Sequence, residues 1–174
     1  IGNSFITPII NSSTTYYAEN SLTLAPSYGG ILTNTGGGYL NTGTNYLIFD
    51  VSQFCTLNSI VVYAQTIGVR EFQLRSSGNV ILNTFSDTLS IGANTVNLNF
   101  NLSPGTNYRL ALGATSASSL YRSTTGVNYP YNVAGCVNIT NSSNGLSNYF
   151  FFYNWKVSQY ECASARFPAI ANVN

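Results

Sequence analysis

The side chains that most often carry acid–base or metal chemistry are sparse in this sequence of 174 residues. It contains no histidine, so the commonest general base and metal ligand is missing. Serine and threonine are plentiful, but with Lys156 as the only lysine there is no evident base to activate them. The five acids are Glu19, Asp50, Glu71, Asp87 and Glu161. We therefore expect a protein that holds or binds and has no catalytic residues.

Two aspartates are the best candidates for a metal site. Asp50 and Asp87 could help to hold a structural Ca²⁺ together with backbone carbonyl groups. No Asp-x-Asp cluster accompanies them, so roles in exposed turns or caps are the alternative. Apart from this weak Ca²⁺ site, the sequence predicts no cofactor and no metal.

The three cysteines, Cys55, Cys136 and Cys162, are the remaining reactive side chains. In an oxidising compartment two of them would pair and one would be left over. The alternative is three buried free thiols.

Tyrosines are the most promising binding residues, because aromatic rings stack on the faces of sugar rings while polar side chains hydrogen-bond the hydroxyls. The chain contains 13 of them. The residues predicted to contact a ligand lie in two segments without strand patterning: Tyr28, Tyr39, Tyr121, Arg122, Tyr129 and Tyr131. The alternative is that these tyrosines are half-buried packing residues whose hydroxyl group is exposed to solvent. Trp155 and the aromatics around it are predicted to belong to the core.

The bulk composition narrows the class of protein. A net charge of +1, with cations scattered singly, argues against nucleic-acid binding. No apolar run reaches the ~20 residues that cross a bilayer, so membrane insertion is not expected. Low charge with abundant Asn, Ser and Thr is typical of secreted or cell-surface β-proteins. The lack of methionine predicts a mature or excised piece.

Strand patterns dominate the chain, and no segment has an apolar period of 3.6 residues with caps. Apolar residues alternate with asparagines from Val96 to Leu102, which predicts a strand with one wet face. Ser76–Asn79 is typical of a hairpin loop, and Pro104–Asn107 of another turn. Tyr149–Val157 is predicted to be one strand. The expected fold is all-β, an antiparallel β-sandwich of the jelly-roll type.

Two long stretches lack a strand pattern. Ser27–Gly43 is rich in glycine, and Ala114–Gly135 is irregular. Both are predicted to be loops that face a ligand, with mobile linkers as the alternative.

The block 46–157 resembles a jelly-roll module of large secreted proteins of Bacteroidetes-type bacteria. The segments that carry this resemblance are Leu57–Ala64, Asn97–Thr106, Tyr129–Tyr131 and Tyr149–Trp155. Residues 1–20 and 161–174 resemble the late strands and the final strand of a bacterial Ig-like repeat. The resemblance implies that a jelly roll, residues 21–160, is inserted between the last strands of a partial Ig-like domain. The two ends should then pair with each other.

Such arrays are similar to type IX-secreted adhesins and multidomain hydrolases. The resemblance implies a non-catalytic module of a secreted cell-surface protein, acting in adhesion or as a unit of a stalk or filament. The alternative is a carbohydrate-binding module accessory to a secreted hydrolase. The expected partners are neighbouring domains or identical subunits, bound through edge strands, and glycans.

The resemblance also assigns roles to individual residues. Cys55 and Cys136 replace other residues of the family module, which suggests that they bond each other. Cys162 would have its partner outside this chain. Asp87-Thr88-Leu89 matches the short O-glycosylation signal of these bacteria, which makes Thr88 a candidate for modification.

Overall fold

The computed structural model describes residues 9, 11–18, 24–41, 43–114, 119–159 and 167–171. The predicted all-β antiparallel sandwich is confirmed, and the helical content of the described residues is one 3₁₀ turn, Gly145–Ser147. The strands are β1 Thr14–Ala18, β2 Ser27–Gly29, β3 Gly37–Leu40, β4 Tyr46–Val51, β5 Cys55–Ala64, β6 Gly68–Arg75, β7 Ile81–Leu89, β8 Gly92–Leu102, β9 Gly105–Leu112, β10 Leu120–Ser123, β11 Tyr131–Val133, β12 Val137–Ser142, β13 Tyr149–Phe150, β14 Tyr153–Gln159 and β15 Phe167–Ala171.

The chain divides into two compact units, one built on β1 and β15 and the other on β2 to β14. In the first unit β1 and β15 pair antiparallel, from Thr14 opposite Ala171 to Ala18 opposite Phe167. The two ends of the chain therefore pair as the sequence led us to expect. The Ig-like character of this unit stays a prediction, and Cys162 lies outside the described residues.

The second unit is a sandwich of two antiparallel sheets. One sheet has six strands in the order β11-β12-β4-β9-β6-β7. The other has seven, in the order β13-β10-β5-β14-β2, with β8 paired to β5 and β3 paired to β10. Aromatic residues fill the space between the sheets: Phe49 of β4 meets Trp155 of β14 edge to face, with ring centroids 5.1 Å apart.

The alternation of apolar and polar residues correctly predicted several strands. In β8, Val96, Leu98, Phe100 and Leu102 are buried while Asn97, Asn99 and Asn101 are exposed. The hairpin predicted at Ser76–Asn79 joins β6 to β7. Asn79 takes the left-handed conformation there, with φ of 65°, and its amide donates to the Ser76 carbonyl at 2.9 Å.

The prediction of one strand over Tyr149–Val157 is wrong. Phe151 has φ of 60°, and the chain divides at residues 151–152 into β13 and β14. Asn154, the second residue of β14, has φ of 43°. The break lets Phe150, Phe151 and Phe152 all turn inward and become buried. A regular strand would have left alternate rings on the outside, so burial of three large apolar side chains favours the irregular backbone.

The two segments predicted to be loops each contain short strands. In the first, β2 pairs with β14 and β3 pairs with β10. Glycine allows the approach of β3 to β10, because a Cβ at Gly37 would overlap the Arg122 carbonyl. Just after β2, a Cβ at Gly30, whose φ is 77°, would overlap the hydroxyl of Tyr149 on β13. In the second segment, β10 and β11 pair with β5 and β12 respectively.

Candidate functional site

Seven tyrosines form a continuous network of ring contacts, which we call the tyrosine cluster. Its members are Tyr39, Tyr63, Tyr121, Tyr129, Tyr131, Tyr149 and Tyr153. The fully buried Tyr153 is its centre. The ring centroid of Tyr153 lies 5.4 Å from that of Tyr63, 6.4 Å from that of Tyr121 and 5.5 Å from that of Tyr149.

One end of the cluster reaches the outer face of the seven-stranded sheet. Tyr39 of β3 and Tyr121 of β10 are opposite each other in the ladder, and their rings meet edge to face at 5.4 Å. Tyr63 lies on the same face, because its neighbour Ala64 pairs with the buried Leu120 and faces inward. Tyr39 is 42% exposed and is the most accessible ring of the cluster.

The other end of the cluster includes Tyr129, which lies in the segment between β10 and β11. The rings of Tyr129 and Tyr131 meet each other at 5.3 Å, and both contact the buried Tyr149. The Tyr129 hydroxyl donates to the Asn148 carbonyl at 2.8 Å, and Nη1 of Arg122 donates to Asn148 Oδ1 at 3.1 Å. Arg122 is thus joined to this end through Asn148.

Most hydroxyl groups of the cluster have partners within the protein. The hydroxyls of Tyr153 and Ser123 are 3.1 Å apart. Tyr121 accepts a hydrogen bond from the Gly37 amide at 2.9 Å, and Tyr131 accepts one from the Asn128 amide at 2.7 Å. These bonds fix the rings, so the cluster stabilises the junction of β3, β10, β13 and β14, and only its outer rim offers surface to a ligand.

Of the six residues predicted to contact a ligand, the structure brings five together: Tyr39, Tyr121, Arg122, Tyr129 and Tyr131. Tyr28 has a different neighbour, since its ring lies 5.9 Å from Nζ of Lys156 on the adjacent strand β14. Sequence reasoning assigned Tyr149 and Tyr153 to the core and did not select Tyr63. The alternation of Tyr63 with the buried Val62 and Ala64 was the signal that it faces outward.

Ionisation of the buried tyrosines is strongly disfavoured. Burial, above all, raises the pKa of Tyr129, Tyr149 and Tyr153 above the usual value near 10. Neighbouring phenols raise it further, because a second negative charge would lie close by. At neutral pH these groups are uncharged and cannot act as bases.

We expect the free energy of unfolding to fall as the pH rises above about 10. The unfolded tyrosines ionise near pH 10, whereas the folded ones keep their protons, so each contributes a loss of about 1.4 kcal/mol per pH unit. The measurement is urea unfolding between pH 8 and 12, made on a Cys55→Ala/Cys136→Ala variant because burial also raises the pKa of both thiols. Tyr153→Phe should reduce the slope of the free energy of unfolding against pH by the contribution of about one proton. An unchanged slope, or tyrosinate absorbance of the folded chain at pH 10 that Tyr153→Phe lowers, would contradict this.

Two cysteines lie side by side between the sheets. Cys55 begins β5 in the seven-stranded sheet, and Cys136 lies in the turn between β11 and β12 of the six-stranded sheet. Both are buried free thiols, and Sγ of Cys136 donates to the Val133 carbonyl at 3.9 Å. The two thiols are close enough for each to affect the pKa of the other, and the disulfide itself stays a prediction.

The two aspartates proposed for Ca²⁺ do not meet. Asp50 is on β4 and Asp87 on β7, with β9 and β6 between them, which separates them by about 14 Å. Oδ1 of Asp50 accepts a hydrogen bond from the Asn107 amide, and Oδ1 of Asp87 accepts one from the Thr88 amide, each at 2.8 Å. Both carboxylates therefore have the turn or capping role that was the alternative. The described residues contain no group of three His, Cys, Asp or Glu side chains able to hold a metal ion.

Thr88, the candidate for O-glycosylation, lies on β7 and is exposed. It faces the outer side of the six-stranded sheet, opposite the exposed Val69. A modifying enzyme could reach its hydroxyl there, and the modification stays a prediction.

Within the described ranges, no helix is long and apolar enough to cross a membrane. Neither a protein-family model, nor a curated protein, nor a solved structure matches this chain. The resemblance to secreted jelly-roll modules therefore depends on the residues alone.

Proposed function

We propose that this chain is a non-catalytic module of a secreted multidomain cell-surface protein, acting in adhesion or as a structural unit of a stalk or filament. The proposal follows from the kind of surface that the sandwich presents and from the type of protein that the sequence resembles. Type IX secretion and a location outside the cell belong to the same proposal.

The observation that carries it is the outer face of the seven-stranded sheet. Thr95, Asn97, Asn99 and Asn101 of β8 are all exposed on this face. Uncharged polar side chains continue across the neighbouring strands: Thr56 bonds Asn101 at 3.2 Å, and Ser158 bonds Asn58 at 2.8 Å. Such a surface gives contact area and hydrogen-bonding groups without a strong electrostatic field, which suits recognition by contact.

The carboxylates of the described residues support the same proposal. Those of Asp50 and Asp87 bond backbone amides, and that of Glu71 accepts a hydrogen bond from Gln73. Each has a structural partner, and the sequence has no histidine to act as a base beside them.

The exposed ring of Tyr39 favours the second candidate, a carbohydrate-binding module accessory to a hydrolase. Its ring stands beside that of Tyr121 on the outer face of the sheet, and an aromatic ring at such a position can stack on a sugar. Tyr28, 58% exposed beside Lys156, is a second ring of this kind.

The test is a glycan array probed with the wild-type chain, Tyr39→Ala and the control Phe54→Ala, with thermal unfolding of each. Phe54 is an exposed aromatic residue in the loop between β4 and β5, away from the cluster. For the adhesion or stalk role we expect no glycan binding that depends on Tyr39. Binding that Tyr39→Ala removes and Phe54→Ala leaves intact would establish the second candidate instead. Turnover of glycoside, ester or peptide substrates by the purified chain would overturn both.

A further inference from the structure

Strand β7 forms one edge of the six-stranded sheet, and its outer side has no partner strand among the described residues. It runs for nine residues, Ile81–Leu89, without proline or lysine, and Asp87 is its only charged residue. Natural proteins usually protect a long edge with proline, lysine or a bulge, because free backbone groups invite another strand. The β6–β7 register shifts between Ile81 and Asn83, so the regular part of this edge is Asn83–Leu89, which is a candidate for strand addition.

Apolar side chains are exposed at both ends of this edge. Val80, Ile81 and Leu82 lie where β7 begins, and each is more than half exposed. Beside the other end of the strand, Ile67, Val69 and Ile91 are equally exposed. Exposure of these six apolar side chains to water does not stabilise a single chain.

We propose that β7 binds β7 of a second copy of this chain, antiparallel and about a two-fold axis at Phe85. The two six-stranded sheets would then continue into one sheet of twelve strands. The inference deepens the structural side of the proposed function, and it rests on that function only for its biological role.

The backbone hydrogen bonds fit an axis at Phe85. The amides of Thr84 and Thr88 bond the side chains of Asn83 and Asp87, at 2.9 Å and 2.8 Å. They therefore point away from β6, and the even-numbered residues face the free edge. An axis at an odd-numbered residue pairs even with even, so Thr84 lies opposite Ser86 of the other copy. Their backbone bonds would replace the bond that the Thr84 amide now makes to the Asn83 side chain.

The side chains also fit this register. Phe85 lies opposite its own copy. Asp87 lies opposite Asn83 instead of a second aspartate, so no like charges meet, and the amide can donate to the carboxylate. The exposed Val80–Leu82 end of one copy comes to lie beside the exposed Val69 and Ile91 of the other.

The other long edge of the sandwich is less suited to this pairing. β8 has eleven residues, but Asn99 has φ of 49°, and the register with β5 shifts between Leu57 and Ser59. This irregularity lies in the middle of the edge and interrupts its row of free groups, whereas the register shift of β7 lies at its first residues. The outermost strands β2, β3, β11 and β13 have four residues or fewer.

The test is sedimentation equilibrium of the full chain from about 10 µM to 1 mM, a range suited to a small interface. We expect a reversible dimer. Thr84→Lys/Ser86→Lys places like charges opposite each other twice and should weaken it about 10-fold, whereas Thr84→Glu/Ser86→Lys places opposite charges there and should stay within about threefold of the wild type. The second variant is the matched control, since both change the same two exposed positions.

A backbone variant tests the strand pairing itself. Ser86→Pro removes an amide that points away from β6, so the hairpin should keep its circular dichroism while the dimer weakens at least 10-fold. A chain that stays monomeric at 1 mM, a dimer indifferent to all three variants, or open-ended polymers would each overturn the proposal. These results leave the non-catalytic contact role untouched, because that role is tested by glycan binding and turnover.

Discussion

Oxidation of Cys55 and Cys136 to a disulfide is expected to raise the free energy of unfolding by about 3–5 kcal/mol. The bond would close a loop of roughly 80 residues and so restrict the unfolded chain. It would also tie the start of β5 to the turn between β11 and β12, joining the two sheets directly. The two thiols are already close enough to affect each other's pKa, so the folded structure has little to rearrange.

Burial raises the pKa of both thiols, so the thiolate that attacks an oxidant is rare in the folded protein. The disulfide should therefore form during folding. The experiment is refolding with oxidised and reduced glutathione, in which the glutathione disulfide takes up the two electrons and two protons that the thiols release. Urea unfolding then compares the oxidised chain with the same chain kept reduced.

Two variants complete this test. Cys162→Ser removes the third cysteine and should leave unchanged the increase in the free energy of unfolding on oxidation. Cys55→Ala/Cys136→Ala should make stability independent of the oxidant. A peptide map that links Cys162 to Cys55 or Cys136, or equal stability of the oxidised and reduced chains, would contradict the prediction.

Trp155→Ala is expected to lower the free energy of unfolding by about 4 kcal/mol or more. Trp155 is fully buried, and removal of so large a side chain from a core typically costs about 3–5 kcal/mol. Its Nε1 also donates to the Phe152 carbonyl at 2.7 Å, and that buried acceptor would lose its donor. The loss is a large share of the stability of an ordinary domain.

The neighbouring Lys156→Ala is the matched control, because its side chain faces the outer side of the same strand and should change stability by less than about 1 kcal/mol. Trp155→Phe keeps an apolar ring and loses the hydrogen bond, so its effect should fall between the two. Far-UV circular dichroism is the measurement, since Trp155 is the only tryptophan and its fluorescence disappears with it. Equal effects of Trp155→Ala and Lys156→Ala would show that the ring does not hold the sheets together.

The long, regular strands could be predicted because their own residues determine them. The alternation from Val96 to Leu102 specifies one buried face and one wet face, and β8 has both. The loop Ser76–Asn79 contains the glycine and asparagine that such a hairpin requires. In these places local preference and tertiary packing agree.

The short strands could not be predicted, because distant residues determine them. β2 and β3 come from a glycine-rich stretch with weak strand preference, and they exist because β14 and β10 offer partners 80 or more residues away. The same is true of the break at Phe151, where packing of three phenylalanines outweighs the cost of a left-handed residue.

The residue types of the candidate site could be predicted from the sequence, but the contacts among its rings could not. Tyr121, Tyr129 and Tyr131 were selected for their place in an irregular segment. Their contacts with Tyr153 and Tyr149 depend on the break between β13 and β14, which no residue of the segment signals. The same contacts show why these tyrosines serve packing first and leave Tyr39 as the accessible ring.

The antiparallel ladder of β1 and β15 has a mechanical consequence. Thr14 and Ala171 form its outermost pair, so a force that pulls the two ends of the chain apart acts on this pair first. The pairs then separate one after another down to Ala18 and Phe167, so a single residue pair carries the force at any moment. Such a ladder unzips under weak tension. In a filament of the kind proposed, tension would therefore have to bypass this ladder.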